Sequence, residues 1–296
     1  MILKQLITIL FIILISVNTY AQQITLQMNG SNDSDGLNIL KTSLYLTHNP
    51  SINYISAISI AHTDIRIFDD NIKYNGTRES IMINLLSNNT KLDIDVGGVF
   101  LNNNTYLTGD ITLTHNFNDY YILTLSTIND FVDNDISIRN RIYHTTYLAN
   151  LDYEKNRWFA SGTIGTSFYS NDNRRDFIRL KLGYILFPEI GLSSYIRTYN
   201  YQNSEPNQIY YFDPDKYNRY LIGVQFRKII YDTILTAHID GGTQIVDNKN
   251  NFSYSFHIGA KRFITDNLAI DGRIESHQFE PDYRYSSFNI RLIYYF

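Results

Sequence analysis

The chain has 296 residues and a formal net charge of −4, with no cysteine, 25 tyrosines and only 5 prolines. Near-neutral charge offers nothing to a nucleic acid or other polyanion. The missing cysteine excludes disulfides, thiolate metal sites and a lipid-modified N-terminal cysteine. A mean hydropathy of −0.24 with abundant tyrosine argues against a bundle of apolar spanning helices.

Residues 1–21 read as a separate object. Lys4 gives a short positive start, Leu6 to Val17 is an apolar core of about a dozen residues, and Thr19-Tyr20-Ala21 offers a small residue at a cleavage position. The run is shorter than the ~20 residues a spanning helix needs. It is expected to be a Sec-type signal cleaved near Ala21.

From Gln22 onward no helical periodicity is visible. Alternating runs follow one another, separated by Asn/Asp-rich turns. In order they are Gln23–Gly30, Leu37–Thr47, Ile52–Phe68, Ile72–Leu86, Leu92–Leu101, Tyr106–Asn116, Tyr120–Val132 and Ile136–Tyr153. Then come Arg157–Ser170, Asp176–Phe187, Ile190–Tyr201, Tyr217–Ile230, Ile234–Val246, Phe252–Phe263, Leu268–Phe279 and Tyr283–Phe296. The pattern predicts an all-β, antiparallel, up-and-down transmembrane barrel over residues 22–296, of about 16 strands, with about 14 as the other count. If both ends are periplasmic, the long Gln202–Lys216 gap falls on the outer side, with the short turns at Pro188-Glu189, Tyr231-Asp232 and Thr265-Asp266 on the inner.

Several runs assign their own faces. Phe252, Tyr254, Phe256 and Ile258 alternate with Ser253, Ser255, His257 and Lys261. Ile178, Leu180 and Leu182 alternate with Arg179 and Lys181; Tyr220, Ile222 and Val224 alternate with Arg219 and Arg227. The charged face must be the lumen, because a charge facing mid-bilayer lipid costs ~2–4 kcal/mol. The lumen-lining candidates are therefore the anions Asp93, Asp95, Asp240, Asp271 and Glu275, with His257 and the cations Arg179, Lys181, Arg219, Arg227, Lys261, Arg273 and Arg291. Early anions facing late cations across a pore would orient polar solutes and set ion selectivity. Folding about Asp247–Asn250 and Thr265-Asp266 predicts a row Asp240–His257–Glu275, read here as an ion network rather than a catalytic group.

The last run, Tyr283–Phe296, is greasy on one face and ends on an aromatic, like the last strand of a bacterial outer-membrane barrel. Before the final five runs stands Tyr211-Phe212-Asp213-Pro214. From Tyr210 onward the chain resembles the C-terminal barrel of exopolysaccharide export porins, of the cellulose-synthase-operon C and poly-N-acetylglucosamine exporter type. In that family a Tyr-aromatic-Ser-Pro motif precedes the closing strands. Here Asp213 replaces the serine, and the family's long helical repeats have no counterpart after residue 21. The resemblance implies an outer-membrane polysaccharide pore, with any periplasmic scaffold on another chain. Surrounding lipids and the barrel assembly machinery are the other expected partners. A general diffusion porin is the alternative, and a barrel enzyme the third reading. No phosphate-binding, zinc-protease, nucleophile-elbow or calcium-loop motif is present. No catalytic residue, cofactor or metal is expected.

Overall fold

The computed structural model describes residues 22–50, 54–69, 72–102, 104–278 and 283–296. The expected signal at 1–21 and the turn at 280–282 lie outside them. Sixteen strands form one closed antiparallel barrel in which every strand pairs with its sequence neighbours and the last closes on the first. They are β1 (Gln23–Asp33), β2 (Asn38–His48), β3 (Ile55–Phe68), β4 (Lys73–Ser87), β5 (Thr90–Leu101), β6 (Asn104–Asn116), β7 (Tyr121–Phe131) and β8 (Tyr143–Lys155). The second half is β9 (Trp158–Tyr169), β10 (Arg174–Phe187), β11 (Leu192–Asn203), β12 (Lys216–Ile230), β13 (Thr233–Val246), β14 (Lys249–Thr265), β15 (Leu268–Gln278) and β16 (Arg284–Tyr295). Among the described residues closure leaves no sheet edge unpaired: Gln23 faces Tyr295 and Asp33 faces Tyr285. Among the described residues no helix is long and apolar enough to cross a membrane.

Two details depart from the sequence expectation. The run beginning at Ile136 does not start as a strand. Asp135–Arg139 forms a short helix, α1, capped by the Asn134 side chain, which accepts from the Ser137 backbone N–H at 2.9 Å. Arg141, with φ 56°, ends the excursion before β8. The second departure is the β13–β14 turn. It uses only Asp247 and Asn248, both at positive φ (46° and 71°), a two-residue turn suited to the twist of the hairpin. Lys249 and Asn250 belong to the strand, so the register shifts two residues from the expected one.

Outward and inward faces alternate as period two demands. Ile222, Ile239, Ile258 and Ile274 point out on four successive strands and are each more than half exposed. Inward positions such as Tyr217, Leu221, Ser253 and Ser255 are buried. The inner face is not uniformly polar. Ile65, Ile67, Val99, Leu101, Tyr106 and Phe131 form a buried apolar patch on β3 and β5–β7, and Ile138 of α1 packs into it. The loop at 132–142 is thereby folded into the barrel mouth at the end opposite the chain termini.

Candidate functional site in the lumen

The site is built where the longest loop, 204–215, folds down onto β9–β12. Its Tyr211-Phe212-Asp213-Pro214 stretch acts as an anchor. The Asp213 carboxylate is buried and accepts from Asn173 Nδ2 at 2.9 and 3.0 Å and from the Gln208 backbone N–H at 3.3 Å. Arg175 reaches it at 3.7 Å and donates to the Phe212 carbonyl at 2.7 Å. Burial pushes the Asp213 carboxyl above its ordinary range, with the Asn173 hydrogen bond pulling the other way. The Tyr211 ring stacks on Tyr169, with centroids 4.4 Å apart and planes at 16°.

An aromatic row continues inward from there. Tyr201 stacks on Tyr217 at 4.8 Å, and Tyr199 lies 5.4 Å from Tyr201. Guanidinium groups cover these rings. Arg175 sits 4.4 Å from the Tyr201 centroid, and Arg179 sits 4.6 Å from Tyr199 and 5.0 Å from Phe177. Alternation explains the row: Tyr195, Arg197, Tyr199 and Tyr201 all fall on the inner face of β11.

Two inner cavities meet at this row. One, about 750 Å³, lies in the mouth between α1 and the 204–215 loop, and is lined by Asp135, Arg175, Tyr199, Tyr210 and Phe212 among others. The other, about 360 Å³, lies deeper and is lined by Arg179, Lys181, Arg197, Tyr199, Arg219 and His277 among others. Tyr199 borders both. A further concavity, about 780 Å³, is instead a groove running along outward residues such as Tyr147, Ile164 and Ile178.

The two mouth loops touch. Ser137 of α1 donates to the Tyr210 carbonyl at 2.5 Å. Asn104 Nδ2 and Tyr74 Oη tie α1 to the wall through Ile138 O at 3.0 Å and Asp135 at 2.7 Å.

Asp240 is the hub of the deeper wall. It is fully buried, pairs with Arg197 at 2.8 Å and accepts from Tyr195 Oη at 2.6 Å and Ser255 Oγ at 2.7 Å. It does not stand opposite His257. The two-residue turn sets Asp240 against Ser255 and His257 against His238, whose rings stack at 5.0 Å. His257 does face Glu275 on β15. The row Asp240–His257–Glu275 is therefore broken at its first link.

The other candidate positions fall on the inner face, mostly in local partnerships. Asp95 pairs with Arg78 at 2.8 Å, and Asp93 with Lys91 at 2.7 Å and with Asn84. Arg291 pairs with Asp271. Lys261 is the ladder partner of Asp271, and its ammonium lies 5.6 Å from the Phe263 ring. Arg273 faces Gly259 and Asn289. Arg219 is buried, donating to Ser253 Oγ at 2.8 Å and to the Tyr254 carbonyl at 3.0 Å. Arg227 lies toward the other end, its backbone N–H bound to Gly191 O. Early anions and late cations thus sit on separate arcs, and the early anions Asp93 and Asp95 are met by neighbouring cations rather than by cations across the lumen.

Sequence reasoning passed over Arg175, Arg197 and Tyr199. The signal was present in the period-two pattern of Arg175-x-Phe177-x-Arg179 and Tyr195-x-Arg197-x-Tyr199. What was hidden is that both segments lie on adjacent strands beneath a loop that folds inward.

No family model and no curated protein sequence matches the chain. Solved structures do. A bacterial polysaccharide outer membrane secretin superposes with a TM-score of 0.74 at 12% identity, covering 93% of this chain and 99% of that one. CdiB from Acinetobacter baumannii gives 0.54 at 10% identity over 92% of this chain and 60% of its own. The CymD monoaromatic hydrocarbon channel gives 0.51 at 8% identity over 94% and 89%. At such identities the likeness is one of fold: this chain has the closed barrel of bacterial outer-membrane proteins, with nearly the whole secretin barrel matched from end to end.

Proposed function

We propose that the chain is an outer-membrane pore through which a polysaccharide is exported. In this reading residues 1–21 direct Sec export, the barrel assembly machinery inserts the barrel with both termini periplasmic, and a separate chain supplies any periplasmic scaffold. One observation carries it: the aromatic–arginine row of β9–β12 borders both the mouth cavity and the deeper cavity, with Tyr199 shared between them. Sugar rings offer C–H faces to aromatic rings and hydroxyls to guanidinium groups, so a row of both is a track for a glycan. The swap of Asp213 for serine does not weaken the reading, because the carboxylate supplies the loop anchor itself. No catalytic role is assigned, since Ser255 Oγ donates to Asp240, and His257 lies opposite His238 and Glu275.

The test is planar-bilayer recording with oligosaccharides added to one side. Current block by oligosaccharide is expected, with Tyr199→Ala weakening it several-fold at unchanged open conductance. A conducting barrel that no oligosaccharide blocks would overturn the polysaccharide reading. It would favour a diffusion porin, the reading supported by the cationic inner arc of β10–β12 (Arg179, Lys181, Arg197 and Arg219). A correctly folded barrel that never conducts would remove both.

A further inference from the structure

The inner face of β10–β12 carries charge of one sign. By alternation it presents Arg175, Arg179 and Lys181 on β10, Arg197 on β11, and Arg219 and Arg227 on β12, with no carboxylate at an inner position of these strands. Two carboxylates reach this arc from outside it, Asp213 from the 204–215 loop and Asp240 from β13. Both are fully buried and each is taken up by one cation, Asp213 by Arg175 at 3.7 Å and Asp240 by Arg197 at 2.8 Å.

Arg179 and Lys181 stand differently. Lys181 donates to Gln225 Oε1 at 2.7 Å, a neutral acceptor, and its ammonium lies 4.2 Å from the Tyr195 centroid. Arg179 is exposed to the lumen and lies against the Tyr199 and Phe177 rings, and no described residue pairs with its charge or accepts a hydrogen bond from its guanidinium. A guanidinium against a ring still offers its N–H groups, in a fork that matches a carboxylate. The deeper cavity is lined by Arg179, Lys181, Arg197 and Arg219 and by no described carboxylate. On β5, by contrast, Asp95 pairs with Arg78 and Asp93 with Lys91. Positive charge thus stands uncompensated beside the aromatic row.

We infer that the glycan carried along this row is acidic, a polymer whose sugar units bear carboxylates. The inference rests on the polysaccharide reading above and names its substrate class. A neutral glycan offers hydroxyls alone and leaves Arg179 and Lys181 without a counter-charge. A chain of uronates supplies both parts: C–H faces for Tyr199 and Tyr201, and carboxylates for the basic side chains. A cleft lined by one sign of charge concentrates the opposite sign. Each exposed ion pair is weak in water. A polymer that meets several cations at once binds by their joint effect, so the row selects an acidic chain over a single acidic sugar.

The test compares three probes in planar-bilayer recordings of the full barrel: a short oligogalacturonate, a malto-oligosaccharide of equal length, and monomeric galacturonate at the same carboxylate concentration. At low salt the oligogalacturonate is expected to block at a roughly tenfold lower concentration than the malto-oligosaccharide, with the advantage shrinking at high salt. The monomer is expected to block far less than the oligomer. Arg179→Gln with Lys181→Gln, in a barrel still folded by heat-modifiable migration, should lower the preference for the acidic oligomer to about twofold or less. Equal block by the two oligomers would overturn the acidic class and leave the polysaccharide reading standing. A preference insensitive to salt, one kept by the double variant, or equal block by the monomer would also overturn the inference. Should the double variant fail to fold, the salt series on the unmutated barrel decides alone. Block by neither oligomer would overturn the polysaccharide reading and this inference with it.

Discussion

The Ser137 hydroxyl donates to the backbone carbonyl of Tyr210 at 2.5 Å, joining residues 73 positions apart on two loops that fold over one mouth. Neither loop depends on this bond for its own shape. Ile138 seats α1 in the inner wall, and Asp213 anchors the 204–215 loop. The bond acts as a latch between two separately anchored loops. Ser137→Ala removes one hydrogen bond of about 1 kcal/mol and keeps the helix cap on Asn134. Single-channel records should show the open state favoured by roughly fivefold. Open and closed dwell times indistinguishable from the wild type would mean that the mouth does not gate at this contact.

Asp240 yields the sharpest stability prediction. Asp240→Ala strands the Arg197 guanidinium and leaves the Tyr195 and Ser255 hydroxyls without their shared acceptor. Loss of one partner of such a pair costs about 3 kcal/mol, to be read from urea titration of the micelle-folded barrel. Gly223 makes room for the same network: a Cβ there would meet Asp240 Cβ at 2.5 Å and the Tyr195 ring at 2.9 Å. Gly223→Ala should therefore destabilise the wild type more than it destabilises Asp240→Gly, which removes the opposing Cβ, because neighbouring sites couple. Strict additivity would place the strain elsewhere.

The strand order, the 16-strand count and the two faces of the later strands were legible because alternation is a local signal repeated many times. Ile222 and Ile258 need only their own neighbours to be assigned outward. The register at Asp240 was not legible, since whether a turn uses two residues or four depends on Asp247 and Asn248 taking positive φ together. Helix α1 was hidden for a different reason. Its buried apolar anchor, Ile138, finds its partners in an inner patch assembled mostly from strands more than thirty residues upstream, Ile65 and Val99 among them.

Selectivity should follow the cavity-lining cations rather than the buried one. Arg179 is exposed to the lumen and Lys181 lines the deeper cavity, whereas Arg219 is held by Ser253 and Tyr254. Replacing Arg179 and Lys181 together by alanine should shift the cation/anion permeability ratio toward cations by roughly twofold or more at low salt, and less at high salt as screening grows. Reversal potentials under a salt gradient measure this. A ratio that does not move would place those side chains away from the conducting path. Arg219→Ala should instead act first on folding.

The 204–215 loop should loosen as pH rises through a window just above the ordinary carboxylate range. Asp213 is buried in that loop, and burial raises its pKa in the folded protein. In the unfolded chain an aspartate releases its proton near pH 3.9. Between that value and the raised one, the docked loop holds a proton that the undocked loop has lost, so docking weakens with each increment of pH. Above the raised value both states are ionised, and the dependence levels off. Below the unfolded value both are protonated, and docking is at its firmest with respect to this group. Hydrogen exchange of residues 204–215, referenced at each pH to an unstructured peptide of the same sequence, should show protection falling across the window and then holding constant. Asp213→Asn keeps an acceptor for Asn173 and the Gln208 N–H but cannot ionise, so its protection should be flat with pH. The opposing effects are the hydrogen bonds from Asn173 and the Gln208 N–H and the Arg175 guanidinium at 3.7 Å, all of which favour the carboxylate. Protection that rises with pH in the wild type and stays flat in Asp213→Asn would show that these partners together outweigh burial, and that the loop is held by the charged carboxylate rather than in spite of it.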